Sequence, residues 1–146
     1  MDNLLKTARQ ILIDGGYTCA VLLNDGEYTS HERGVKPLIT LLESGRHTRG
    51  AVAADKCIGA GAAHLYVLLG AKAVWANLIS ESAIEVLKNS GIEVDYEKCV
   101  PYIINRRGDG RCPIECAVEG AKDSDEAYAL IKSALKALQL GLGSNT

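Results

Sequence analysis

A chain of 146 residues, 47% of them hydrophobic, can bury a core without disulfide or metal staples. With 16 basic against 18 acidic residues the net charge is only −2, so no overall field draws nucleic acid, and any anion must be captured locally. The longest apolar runs fall well short of the ~20 residues of a membrane span and Asp2-Asn3 opens no signal peptide, so a cytoplasmic protein without membrane association is expected.

From the N-terminus, Leu4, Leu5, Ala8, Ile11 and Leu12 recur at helical spacing over residues 2–13, and Gly15-Gly16 supplies the stop. Residues 17–23 turn β-rich, Asn24-Asp25-Gly26 tolerates positive φ, and residues 27–33 follow as a polar strand, which together predict a β-hairpin. Residues 37–42 form a short helix. Asp55 is expected to cap an Ala- and Gly-rich helix ending at Gly70, with Gly59-x-Gly61 serving close packing against the sheet. A dinucleotide fingerprint would need Gly or Ala at His64 and a strand before the glycines. Residues 73–79 are a continuous apolar run suited to a strand covered on both faces, and Ser80 caps the helix that ends near Gly91. Residues 92–94 and 102–104 are strand candidates, followed by a charged loop at 105–113. Asp123 with Glu126 then opens a last helix as a capping box, with Ala127, Leu130, Ala134 and Leu138 inward. The order predicts one α/β domain over residues 1–146, a mixed sheet between helical layers.

The segments Gly34-Val35-Lys36-Pro37-Leu38, Ala54-Asp55-Lys56-Cys57-Ile58-Gly59, Ile79-Ser80-Glu81 and Cys112-Pro113-Ile114-Glu115 resemble a bacterial and archaeal family of unknown function, DUF1893, over nearly the whole chain. That family is placed in the cytidine-deaminase-like superfamily. The resemblance therefore implies a three-layer helix, mixed-sheet, helix sandwich in which two helix N-termini meet at a zinc-activated water. The superfamily's signature is His or Cys, any residue, then Glu on the first helix, and Pro-Cys-x-x-Cys opening the second. With Gly70 and Gly91 as anchors, Cys57 falls on the first ligand, Gly59 on the glutamate, and Ser80 and Ala83 on the paired cysteines. One ligand without the glutamate implies no zinc, no cofactor and no deamination of cytidine, deoxycytidine, adenosine or guanine. Only Cys112 and Cys116 joining Cys57 would restore a zinc hydrolase with rearranged ligands. The resemblance also implies a homodimer, closed by the commonest symmetry.

In that fold Asp55, Lys56, Ser80 and Glu81 would converge where zinc sits, at helix starts whose free N–H groups suit an anion or carbonyl, although Asp55 and Ser80 serve equally as plain caps. The loop from Asn105 to Arg111 packs three guanidinium groups, Arg106, Arg107 and Arg111, and is either an anion clamp or a solvated tip. Five cysteines form an odd set that a reducing compartment leaves as thiols. Cys112-Pro113-Ile114-Glu115-Cys116 follows the arginines, making Cys112 a candidate nucleophile with Glu115 or Asp55 as proton carrier. If residues 114–118 form a strand, Ile114 and Cys116 share one face and Glu115 takes the other. Cys57 and His64, seven residues apart on one expected helix, stand about 10 Å apart along its axis, too far to share a metal. His64 reads as packed or hydrogen-bonded. With six Tyr, one Trp and no Phe there are few platforms for stacking bases, so nucleic acid is not an expected partner. The expected role is binding a small anionic or nucleotide-like ligand, with thiol chemistry as its enzymatic version. The alternative is a structural or protein-interaction module in which the same polar groups are only caps and turns.

Overall fold

The computed structural model describes residues 3–105 and 108–139. In chain order it comprises α1 (Asn3–Gly15), β1 (Cys19–Leu23), β2 (Gly26–Ser30), α2 (Lys36–Glu43), β3 (Val52–Ile58), α3 (Ala60–Leu69), β4 (Ala73–Ser80), α4 (Glu81–Asn89), β5 (Glu93–Val100), α5 (Pro113–Ala117) and α6 (Ser124–Gln139). The sheet runs β2-β1-β3-β4-β5, with β1 antiparallel to both its neighbours and β3, β4 and β5 parallel. Helices cover both faces, giving the expected three-layer sandwich on a mixed sheet. No helix among the described residues is long and apolar enough to cross a membrane.

Each face has its own core. Leu5, Ala8 and Leu12 of α1 pack on Ala20, Val52, Ala54, Ala73 and Trp75. Cys19, Val21, Ala53, Val74 and Ala76, from the other side of the same strands, pack with Leu38, Leu65, Leu69, Leu87 and Ile131. This is the two-residue period of a strand buried on both faces. In β3 and β4 the period then slips. Ile58 and Ile79 join the second core three residues past Asp55 and Ala76, while Lys56 and Asn77 lie exposed. The strands slip together, since Asp55 pairs with Ala76 and Ile58 with Ile79. Each therefore carries a buried isoleucine at or next to its end, just before the helix that follows.

Several expected elements move. Strand β3 occupies the start of the expected 55–70 helix, so Asp55 is a strand residue and Gly59, in extended conformation, caps α3. Alanine has weak strand propensity, but helices close over both faces here and small side chains fit beneath them. A strand therefore does precede Gly59-x-Gly61, and Cys57 and His64 lie on different elements. Residues 102–104 form no strand; Ile104 makes only an isolated bridge to Arg111. The strand read at 92–94 is longer, reaching Val100. Residues 113–117 are a helix, started by Pro113 in its first turn, which needs no N–H there. Ser80 does cap α4, accepting the Ala83 N–H at 3.2 Å, and Asp123 accepts the Glu126 N–H at 2.8 Å before α6.

Candidate functional site

Helices α3 and α4 start from the ends of adjacent parallel strands, so their N-termini lie side by side with N–H groups that the helices themselves cannot satisfy. Glu115 of α5, only 2% exposed, fills that junction. Its Oε2 accepts the Ala60 N–H at 2.9 Å, the Ser80 hydroxyl at 2.5 Å and the Ser82 hydroxyl at 3.3 Å. Its Oε1 accepts the Ile103 N–H at 2.7 Å. One carboxylate thus joins α3, α4, α5 and the 101–112 segment. Ser80 caps α4 through its lone pair while giving its proton to Glu115, so one hydroxyl does both. Gly59 makes the approach feasible, because a Cβ there would stand 3.1 Å from Glu115 Oε2 and 3.2 Å from Ile103 Cγ1. At Gly61 a Cβ would meet Ile114 Cγ2 at 2.7 Å. The glycines admit α5, and not the sheet as expected.

Zinc does not fit this junction. The neighbours of the Glu115 carboxylate, N–H groups of Ala60 and Ile103 and hydroxyls of Ser80 and Ser82, all donate toward it, whereas a cation needs lone pairs. Gly59 supplies no carboxylate and Ala83 only a methyl. Cys57, the single match to the zinc signature, lies one residue before the end of β3 with its thiol pushed up to about 12, by loss of water and then by Asp55, Cys112 and Glu115. A metal ligand or nucleophile needs the opposite shift. Among the described residues, no group of three or more His, Cys, Asp or Glu is placed to hold a metal ion.

Asp55 does not join Glu115. It is buried in β3, where Oδ2 accepts the Tyr66 hydroxyl at 2.7 Å and Oδ1 the Cys57 N–H at 3.1 Å. Cys19 Sγ lies 3.6 Å from the same Tyr66 oxygen. Burial raises the Asp55 carboxyl to about 7, against the lowering pull of hydrogen bonds from Tyr66, Cys57 and Lys56. Burial, and then the Asp55 charge, push the Cys19 thiol and the Tyr66 hydroxyl up as well. Sequence reasoning gave Tyr66 and Cys19 no part. The available signal was a tyrosine in a mostly aliphatic helix, whose hydroxyl needs a partner once buried.

The other expected site residues scatter. Lys56 is exposed on β3, and Glu81 is exposed in the first turn of α4, where its charge complements the helix dipole. Cys112 is half-buried at the start of α5; its N–H donates to the Ile103 carbonyl at 2.8 Å, and its thiol makes no capping bond. Arg111 pairs with Glu119 and lies 5.2 Å from the Tyr102 ring centre. Arg106 and Arg107 lie outside the described residues. The loop closes on Asn105, whose Oδ1 accepts the N–H groups of Gly108 at 2.9 Å and Asp109 at 3.3 Å.

Beside the junction lies a cleft of about 760 Å³, lined by Ala60, His64, Ser82, Arg111, Lys122 and Ser124 among others. Ala60 and Ser82 are the two residues it shares with the Glu115 cage. His64 Nδ1 sits 3.0 Å from Ser124 Oγ, tying α3 to α6, and loss of water lowers its pKa against the opposing Asp123 charge. Two cations, Arg111 and Lys122, face four carboxylates, Glu85, Glu119, Asp123 and Asp125.

The sequence model of a family described as a domain of unknown function, DUF1893, matches residues 7–135. In structure the chain is similar to a DUF1893 family protein from Thermotoga maritima, at 24% identity and a TM-score of 0.81, over 93% of this chain and 90% of that one. At that identity the likeness shows the fold. A diaminohydroxyphosphoribosylaminopyrimidine deaminase/5-amino-6-(5-phosphoribosylamino)uracil reductase from the same organism aligns at 14% identity, a TM-score of 0.44, 94% of this chain and 40% of its own. That likeness is too slight to carry anything over. No curated protein matches the chain.

Proposed function

Because this chain belongs to the DUF1893 family, whose description names no activity, we propose from its own site that it binds a small polar molecule in the cleft beside Glu115 and performs no zinc-dependent deamination. The observation that carries this reading is that Ser82 is at once a wall of that cleft and a donor to the buried carboxylate. A ligand that hydrogen-bonds Ser82 is felt at the joined starts of α3 and α4. The expected anionic head group is the part of the reading that changes. The helix starts already hold an internal anion, and carboxylates outnumber cations along the cleft. A neutral nucleoside-like or zwitterionic ligand with an amino group suits that lining. The deaminase-like kinship, the cytoplasmic setting and the twofold dimer stay with this proposal, as does Cys112 as a nucleophile.

The test is a thermal-shift and calorimetry screen of nucleosides, amino acids and polyamines against the wild type and Ser82→Ala. A specific ligand at ~100 times its dissociation constant adds about 2.7 kcal/mol of stability, and loss of the hydroxyl weakens it by roughly tenfold. Absence of any saturable ligand, or binding indifferent to Ser82, would leave the structural-module alternative standing.

A further inference from the structure

A second cleft, of about 770 Å³, lies at the opposite ends of α3 and α4, between the 44–50 loop, the 67–71 turn, Ser90 and Ile92. Its polar wall is Arg46, His47, Thr48 and Arg49, its apolar wall includes Val67, Leu69, Ala71 and Ile92, and no Asp or Glu stands among the lining residues. The contrast with the cleft beside Glu115, where carboxylates prevail, is one of charge sign.

Basic side chains near helix C-termini usually serve to meet leftover carbonyls. Here those carbonyls are taken by other donors. Thr48 Oγ donates to the Leu69 carbonyl at 2.7 Å and the Gly50 N–H to the Gly70 carbonyl at 2.8 Å. The Ala71 N–H reaches the Tyr66 carbonyl at 3.1 Å, and the Ser90 and Ile92 N–H groups reach Leu87 at 3.1 and 3.0 Å. Among the described residues, His47 and Arg49 have no hydrogen-bond or ion-pair partner, and Arg46 spends one guanidinium nitrogen on Asp25 at 3.1 Å. The loop is nevertheless fixed. The Thr48 and Gly50 bonds pin it to the end of α3, the Arg46 N–H donates to Ser44 Oγ at 3.2 Å, and Gly70 is pressed so close that a Cβ would lie 3.2 Å from Arg49 Cα. The basic groups thus stand on a braced backbone with donors to spare. Guanidinium forks match phosphate oxygens, and the adjoining apolar wall suits a carbon skeleton.

From this geometry we infer that the 44–50 loop and the ends of α3 and α4 form a binding site for a small organic phosphate monoester, with Arg46, His47 and Arg49 on the phosphate and Val67 and Ile92 against the organic part. The two clefts adjoin at Val67, Leu68 and Ser90, but the basic loop lines this one alone, and the inference goes beyond the function proposed for the cleft beside Glu115.

The experiment is isothermal calorimetry at low ionic strength with inorganic phosphate, ribose 5-phosphate and adenosine monophosphate, on wild type, Arg49→Ala, Lys98→Ala and Ser82→Ala. One phosphate ester per chain is expected to bind, more tightly than inorganic phosphate because of the apolar wall. Arg49→Ala should weaken every phosphate by roughly tenfold, the effect of one charge-assisted fork. Lys98→Ala, on distant β5, and Ser82→Ala, in the other cleft, should leave phosphate affinity unchanged. Equal weakening by Arg49→Ala and Lys98→Ala would mean general field attraction and overturn the site. Saturation only by a polyanion such as RNA, or by no phosphate at all, would overturn it too. Because Ser82→Ala reports on the first cleft alone, each proposal stands or falls separately.

Discussion

Among the described residues two carboxyl groups are buried, and they are held in opposite ways. Glu115 sits where two helices begin, surrounded by two backbone N–H groups and two hydroxyls. Asp55 sits mid-strand, with the Tyr66 hydroxyl and neighbouring N–H groups of its own strand, and burial takes it to about 7. The difference teaches what burial alone does not say. A carboxylate at converging helix starts serves its neighbours, because without it their N–H groups lose their acceptor; a carboxyl within a strand mainly bears the cost of leaving water.

Replacing each by its amide isostere should break the pair apart most clearly. In Glu115→Gln one oxygen becomes an NH₂ facing groups that themselves donate, and the expected loss in urea unfolding is about 3–5 kcal/mol, as for a buried charge network deprived of one member. Glu115→Ala should lose a similar amount and recover part of it in formate or acetate, which re-enter the vacated cage. Recovery equal to that of the wild type in the same salts would show that the cage does not select an anion.

Asp55 sharpens the contrast through pH. Its folded value of about 7 lies above its ordinary 3.8, so the folded state holds a proton that the unfolded chain has lost between those values. Stability is therefore full below pH 4 as far as this group is concerned, and declines as pH rises through about 7, by up to about 4 kcal/mol. Asp55→Asn should flatten that decline in unfolding curves taken from pH 5 to 9. A slope that survives the substitution would assign the effect to another group.

Smaller effects should follow around Glu115 alone. Gly59→Ala forces a methyl to within 3.1 Å of Oε2, and since the carboxylate is pinned by its donors the expected cost is about 1–3 kcal/mol. Ser80→Ala removes both the α4 cap and one donor, for about 1–2 kcal/mol. An alanine at 59 that proves neutral would mean that the cage is looser than its hydrogen bonds imply.

How much of this was legible in the sequence depended on whether cause and effect lay close together in the chain. Ser80 as a cap was readable, because it stands between an apolar run and an amphipathic pattern and its partner, the Ala83 N–H, is three residues on. The hairpin at Asn24-Asp25-Gly26 and the Asp123 cap were readable for the same reason. Strand β3 was not, since Val52-Ala53-Ala54 has weak strand propensity and becomes a strand only when sheet neighbours and two helix layers close around it. Glu115 was noticed as a proton carrier but not as the acceptor that joins two helix starts. Its partners Ala60 and Ser80 are 55 and 35 residues away, and nothing local marks a glutamate as their acceptor. The start of α4 was placed correctly at Ser80, but the start of α3 was set at Asp55, because a cap and a strand residue four positions before Gly59 look alike without the fold.

The position of Glu115 along the chain also bears on how the protein is made. Synthesis runs from the N-terminus, and every strand of the sheet has been laid down by Val100, before Glu115 is added. For that interval a nascent chain has the starts of α3 and α4 and the hydroxyls of Ser80 and Ser82, but not the carboxylate they close upon. Water or a passing anion must serve until then. A chain cut short within the 101–112 segment keeps all the strands yet lacks the group that locks the two helix starts together, so what is translated after Val100 decides whether the earlier part is sealed.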